Sequence, residues 1–154
     1  MDENCIFCKI VGGALPAYKV WEDRGYMAIL DRYPNIKGQT LVIPKAHADS
    51  DVFKIPAHDY ARFMGATRKV AKFLELGLGV NRVHLVLEGT GVNHLHAKLY
   101  PAIGYGKGFV QTIAKDKAKF DNYPGYVTTL MGPMAKDGEL HALQEQLTGK
   151  TLKI

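Results

Sequence analysis

His94-Leu95-His96-Ala97-Lys98-Leu99-Tyr100 alternates polar and apolar residues over its whole length. In a strand, residues two apart share a face, so His94, His96, Lys98 and Tyr100 point one way while Leu95, Ala97 and Leu99 point the other. Alternation alone is also what a solvent-exposed strand face would show. The preceding residues point to chemistry, because Gly89-Thr90-Gly91-Val92-Asn93 can turn backbone N–H groups toward an anion with little side-chain obstruction. A phosphate bound there would lie beside the imidazoles. A neutral imidazole attacks phosphorus through one ring nitrogen while a hydrogen bond holds the proton on the other, and a carbonyl oxygen would fix that tautomer.

Outward from this stretch the chain reads as alternating strands and one long helix. Arg82 to Glu88 is a second strand, close enough to pair with the histidine strand as an antiparallel hairpin. Gln39 to Pro44 is a β-branched run ending at a proline. Tyr18 to Glu22 and Tyr26 to Asp31 form a further hairpin across Asp23-Arg24-Gly25, with Gly25 expected at positive φ. From Pro56 to about Leu76, Tyr60, Phe63, Met64, Val70, Phe73 and Leu74 recur mostly at separations of three, four and seven, which predicts an amphipathic helix stopped by Gly77 and Gly79. The fold class is therefore α+β: a five-stranded antiparallel sheet with one long helix. A short helix is expected from Asp137 to Leu147, in a C-terminal third punctuated by Gly104, Gly106 and Gly108.

The 154 residues suit one core, and 47% hydrophobic with 23% charged residues is ordinary globular usage. The expected organisation is one domain over residues 1–105, with 106–154 as a C-terminal extension packed on it. Apolar runs such as Thr40–Pro44 and Val83–Leu87 fall far short of the roughly 18 residues a membrane helix needs. The opening Met-Asp-Glu-Asn lacks a secretory pattern, so a cytoplasmic setting is expected. The net charge of +5 suits nucleic acid or small phosphate-bearing molecules alike, but no aromatic and basic stripe favours nucleic acid. Cys5 and Cys8 are the only cysteines; their Cys-x-x-Cys spacing favours metal or redox chemistry over a structural disulfide in a reducing compartment.

The histidine stretch resembles the signature of the histidine triad family, His-φ-His-φ-His-φ-φ with φ apolar, with Lys98 in place of the third histidine. Cys5-Ile-Phe-Cys-Lys-Ile10, Ala28-Ile-Leu-Asp31 and Gly38-Gln-Thr-Leu-Val-Ile-Pro-Lys-Ala-His47 resemble further landmarks of that family in their usual order, so the likeness spans roughly residues 4 to 101. It implies a hydrolase or transferase acting at the α-phosphate of a purine nucleoside phosphoramidate, dinucleoside polyphosphate or similar conjugate. His96 would be the nucleophile, forming a covalent nucleotidyl-histidine intermediate. Lys98 would stabilise phosphoryl charge as a fixed cation; with an ordinary pKa near 10.4, lysine shuttles protons poorly at neutral pH unless burial lowers it. Related nucleotidyltransferases and dinucleotide phosphorylases carry glutamine at that position.

By the same resemblance Asp31 would bind ribose hydroxyls, although an aspartate there could equally cap a turn. Phe7, Ile10, Ile29 and Leu30 would line an apolar slot for the base. Gly91 and Asn93 stand where the family has Gly-Gln-Ser, with Asn93 as the candidate phosphate contact. Cys5, Cys8, His47 and His94 would hold a structural zinc, as in zinc-containing bacterial members, since two thiolates and two imidazoles close a tetrahedral shell. His58, His84 and His141 have no motif around them. The family also implies a homodimer. A nucleotide-binding sensor that turns over negligibly is the alternative from another class.

Overall fold

The computed structural model describes residues 2–106, 115–122, 133–134 and 136–138. The chain divides into two units, Met1–Gly108 and Phe109–Ile154, and the elements named below all lie in the first. The expected C-terminal helix falls, apart from Asp137 and Gly138, outside the described residues.

The order is α1 (Ile6–Val11), β1 (Lys19–Glu22), β2 (Tyr26–Leu30), β3 (Thr40–Pro44), α2 (Ala57–Leu78), β4 (Val83–Val86) and β5 (Ala97–Pro101). The five strands make one antiparallel sheet in the order β1-β2-β3-β5-β4. This is the α+β architecture expected from the sequence. Apolar residues on both faces of the central strands explain why the sheet is covered on both sides. Ala28, Val42, Ala97 and Leu99 face α2, where they pack with Phe63, Val70 and Leu74. Met27, Ile29 and Ile43 face the other way and pack with Phe7, Cys5 and Cys8 around α1.

Helix α2 buries Phe63, Ala66, Thr67, Val70 and Leu74, the repeat a helix needs to present one stripe to a sheet. Of the periodic residues, Tyr60 and Phe73 stay exposed, so the buried stripe is narrower than the apolar pattern. Replacing the fully buried Phe63 by Ala would cost about 3–5 kcal/mol in a core of this kind. The helix runs through Gly77 and stops at Gly79, whose left-handed conformation lets its N–H reach the Glu75 carbonyl.

Three local expectations are corrected. Gly25 is not at positive φ; the turn is built by Asp23, whose Oδ1 accepts the N–H groups of Gly25 and Tyr26, both at 2.8 Å. The ladder of β5 begins at Ala97, three residues after His94, because the Leu95 N–H goes to the Ala48 carbonyl at 3.0 Å instead of to a neighbouring strand. Strand β4 ends at Val86, leaving Leu87 and Glu88 outside it. The sequence reading also passed over α1, a single short helix in which the Cys5 sulfur accepts the Cys8 N–H at the N-terminus.

Candidate active site and metal centre

Register places the site on the α1 side of the sheet. Lys98 pairs with Leu41 on β3 and with Val86 on β4, and Leu41 pairs with Ile29 on β2. Directly paired residues share a face, so Lys98 stands on the side where Leu41 packs against the α1 cluster. The other face takes Leu95, Ala97 and Leu99 into the α2 core. His94 and His96 are buried, which excludes the reading of a solvent-exposed histidine face. Phe7 of α1 lies against both rings, 5.7 Å from His94 and 5.4 Å from His96 between centroids.

The histidines are oriented by carbonyls. His96 Nδ1 lies 2.8 Å from the His94 carbonyl oxygen. A carbonyl only accepts, so that nitrogen carries the proton and the lone pair of the neutral ring is on Nε2. His94 is held the opposite way round: its Nε2 donates to the Pro44 carbonyl at 2.9 Å, which turns Nδ1 toward the cysteines. Burial lowers the His94 pKa below its ordinary value, against the hydrogen bond to Pro44, with His47 and His96 adding to the lowering.

His94 Nδ1 is 3.3 Å from the Cys5 sulfur and 3.6 Å from the Cys8 sulfur, and His47 Nδ1 is 3.4 Å from the Cys8 sulfur. All four ligand atoms fall within 4.8 Å of one another. Zinc bonds of about 2.3 Å to sulfur and 2.0 Å to nitrogen at the tetrahedral angle require S···N edges of about 3.5 Å, so the set fits such an ion. Cys5, Cys8 and His94 are buried and His47 is exposed. Burial pushes the Cys8 thiol above its ordinary value, the environment in which a cation would find the stronger partner in the thiolate. The bond from His94 Nε2 to the Pro44 carbonyl fixes the tautomer and orientation a metal-binding imidazole would need, with Nδ1 toward the sulfurs.

At the other end of the site Lys98 Nζ donates to Glu88 Oε2 at 2.7 Å. Partial burial alone would lower the Lys98 pKa, but the bond and charge of Glu88 outweigh it and raise the value. Lys98 in turn holds the Glu88 carboxyl below its ordinary range, with help from the Thr90 hydroxyl. Lysine here is a fixed cation. Sequence reasoning missed Glu88 as a functional residue; its signal was an acid closing one strand of the hairpin whose other strand carries Lys98.

Asp31 accepts the Tyr33 N–H at 2.9 Å through Oδ1 and the Gln39 side-chain amide at 2.6 Å through Oδ2. It caps a turn, and Gln39 is a second residue the sequence did not single out. Ile29 and Phe7 are buried in the α1 cluster, Ile10 packs on its edge, and Leu30 is exposed on the far face beside Thr40. Asn93 Oδ1 accepts the Ser50 N–H at 3.2 Å. Gly91 and Asn93 line a cleft of about 330 Å³ with Asn4, Cys5 and Ile6. A larger cavity, about 600 Å³, lies on the α2 side beside Tyr26, Phe63 and Leu95 and does not include His96.

Residues 13–101 match the family model of the HIT domain. The chain belongs to the HIT family. The matched segment holds Asp31, His47, His94, His96 and Lys98, and Cys5 and Cys8 precede it. The chain is 38% identical over 112 residues to the protein named hit of Bacillus subtilis, covering 70% of this chain and 77% of that protein. It is 29% identical over 127 residues to the adenosine 5'-monophosphoramidase HNT1 of Saccharomyces cerevisiae, covering 79% and 77%. A zinc-bound histidine triad family protein from Mycobacterium smegmatis shares the fold with a TM-score of 0.60 at 29% identity, over 71% of this chain and 83% of that one. Family membership and the yeast relative support a hydrolase acting on nucleotides in general terms. Among the described residues, no helix is long and apolar enough to cross a membrane.

Proposed function

We propose that this HIT protein hydrolyses or transfers at the α-phosphate of a nucleotide conjugate, a phosphoramidate, dinucleoside polyphosphate or similar compound, through a covalent nucleotidyl-His96 intermediate. The observation that carries the reading is the bond from His96 Nδ1 to the His94 carbonyl, which leaves the lone pair on Nε2 for attack on phosphorus. Lys98 stabilises the phosphoryl oxygens as a fixed cation, and most of the acceleration comes from positioning and charge. Asp31 takes the ribose hydroxyls on lone pairs not used by Tyr33 and Gln39. Phe7, Ile10 and Ile29 line the apolar side of a purine site, Leu30 standing on the other face of the sheet, and Gly91 and Asn93 approach the phosphate.

Cys5, Cys8, His47 and His94 hold the metal, and zinc is the ion that their sulfur and nitrogen donors suit. Four protein ligands close its shell, so a bound zinc supplies cohesion between the N-terminus and the histidine segment and no reacting position. The reading carries with it a cytoplasmic setting, where Cys5 and Cys8 stay reduced, and pairing as a homodimer.

The test is AMP release from adenosine 5'-phosphoramidate and diadenosine tetraphosphate by the wild type and His96→Ala. Loss of a nucleophile should reduce turnover of at least one substrate by a factor of about 10³ or more. Equal slow release by both proteins sinks the enzyme. Tight AMP binding without turnover by the wild type would assign the chain as a nucleotide sensor instead.

A further inference from the structure

Glu88 is built into the site more firmly than a surface acid needs to be. Its Oε2 accepts from Lys98 Nζ and its Oε1 from the Thr90 hydroxyl. The two side chains of the ion pair are only 12% and 26% exposed, glutamate and lysine respectively. The backbone beside it is fixed as well. Gly89 sits at φ +71°, and a Cβ there would come within 2.5 Å of the Ser50 carbonyl oxygen. Four residues on, Asn93 accepts the Ser50 N–H. The hairpin loop is therefore pinned to one residue at two points, and Glu88 is aimed at Lys98.

We propose that Glu88 is a positioning residue that holds Lys98 as a permanent cation unable to give a leaving group its proton, so that this chain acts on nucleotide anhydrides in preference to phosphoramidates. The proposal rests on the α-phosphate reading above. In the anhydride reaction His96 Nε2 forms a bond to the α-phosphorus as the bond from phosphorus to the bridging oxygen breaks. The electron pair departs on that oxygen, which belongs to a phosphate whose second ionisation lies near 6. No proton is needed as it leaves. Water then attacks phosphorus, the electron pair of the P–N bond returns to Nε2, and the surplus proton of water passes to solvent.

A phosphoramidate needs more. Its nitrogen would leave as an amide anion unless a general acid protonated it while the bond broke, a contribution of about 10²–10⁴ in rate. The titratable groups around Lys98 and Glu88 are Asp31, Tyr100 and His96. Asp31 accepts on both oxygens, the Nδ1 proton of His96 is committed to a carbonyl, and Tyr100 is four residues along the chain from His96 where Lys98 is two. Lys98 is the cationic side chain two residues from His96, and Glu88, bonded to its ammonium at 2.7 Å, keeps the proton on it.

The experiment compares kcat/KM for diadenosine tetraphosphate and adenosine 5'-phosphoramidate from about pH 6 to about pH 11.5, a span that passes the ordinary lysine value, using the full chain as wild type, Lys98→His and Glu88→Gln. The wild type should prefer the anhydride by about 100-fold or more, the scale of a missing general acid. Lys98→His should raise phosphoramidate turnover relative to anhydride at least about tenfold. Glu88→Gln should bring the alkaline loss of anhydride turnover to lower pH, a shift that a merely structural role would not produce and that stays readable if Lys98→His fails to fold. A wild type indifferent to the leaving group, or an alkaline limb unmoved in Glu88→Gln, overturns the proposal and leaves the α-phosphate reading standing. Absence of turnover on both substrates, or release independent of His96, overturns both.

Discussion

The two ends of the site flanking His96 are built on opposite principles. At one end Cys5, Cys8, His47 and His94 bring four donor atoms within 4.8 Å of one another. At the other, Glu88 and Lys98 satisfy each other directly at 2.7 Å. The first is a donor set that a metal ion would complete; the second is complete in the chain itself. Their difference teaches which end should respond to a metal and which to local charge and backbone, and it can be broken experimentally at either end.

Metal removal should have the largest effect. Binding to the folded form alone stabilises by RT ln(1 + [L]/Kd), about 4 kcal/mol when zinc stands at a thousand times its Kd. For a chain of this size that is roughly 8–16 °C in Tm. Chelation of protein purified in zinc should lower Tm by that order, Cys8→Ser should bind less than one zinc per chain by elemental analysis, and Glu88→Gln should keep full stoichiometry. A chelator that leaves Tm unchanged, in protein with background zinc, would remove the contrast between the two ends.

Next comes the backbone that supports the ion pair. Gly89→Ala must place a Cβ 2.5 Å from the Ser50 carbonyl oxygen at a φ of +71°, a strain of roughly 2–3 kcal/mol from conformation and overpacking together. Urea unfolding should show that loss, while zinc content stays at the wild-type level because neither Gly89 nor Ser50 supplies a ligand atom. A change under about 0.5 kcal/mol would mean the loop moves freely off Ser50, and the rigid half of the comparison would fail.

Much of the fold was legible because strand and helix periods are written in side chains: Phe63, Val70 and Leu74 repeat at helical spacing, and Leu95, Ala97 and Leu99 at strand spacing. Cys5 and Cys8 were legible as metal or redox candidates from their Cys-x-x-Cys spacing, and only the family resemblance joined His47 and His94 to them. Cys5 and His94 are 89 positions apart, and no local pattern records that their side chains meet at 3.3 Å. Helix α1 escaped because six residues carry too little period to be seen. The start of β5 was misplaced because alternation continues through His94 and His96, although their segment hydrogen-bonds to the loop at Ala48. Glu88 was invisible for another reason: an acid just past a strand end is ordinary, and its meaning lies in the Lys98 ammonium that its carboxylate meets, two residues beyond the paired Val86.

The smallest predicted effect isolates the ion pair from everything else. Glu88 has its pKa lowered below 4.5, so its contribution is fully present above that value and is lost as pH falls through the lower, folded-state value. Lys98 is raised above 10.5, so its contribution is present below that value and lost as pH climbs through the higher one. Between those limits the pair should stabilise the fold by a constant amount, roughly 1 kcal/mol for a half-buried charge pair. Taking the difference in unfolding free energy between wild type and Glu88→Gln cancels the titration of the cysteines and histidines common to both. That difference should be flat from about pH 5 to 9 and should close on acidification toward pH 3. A difference that instead tracks pH 6 to 7 would couple Glu88 to the histidines, and the two ends of the site would no longer be independent.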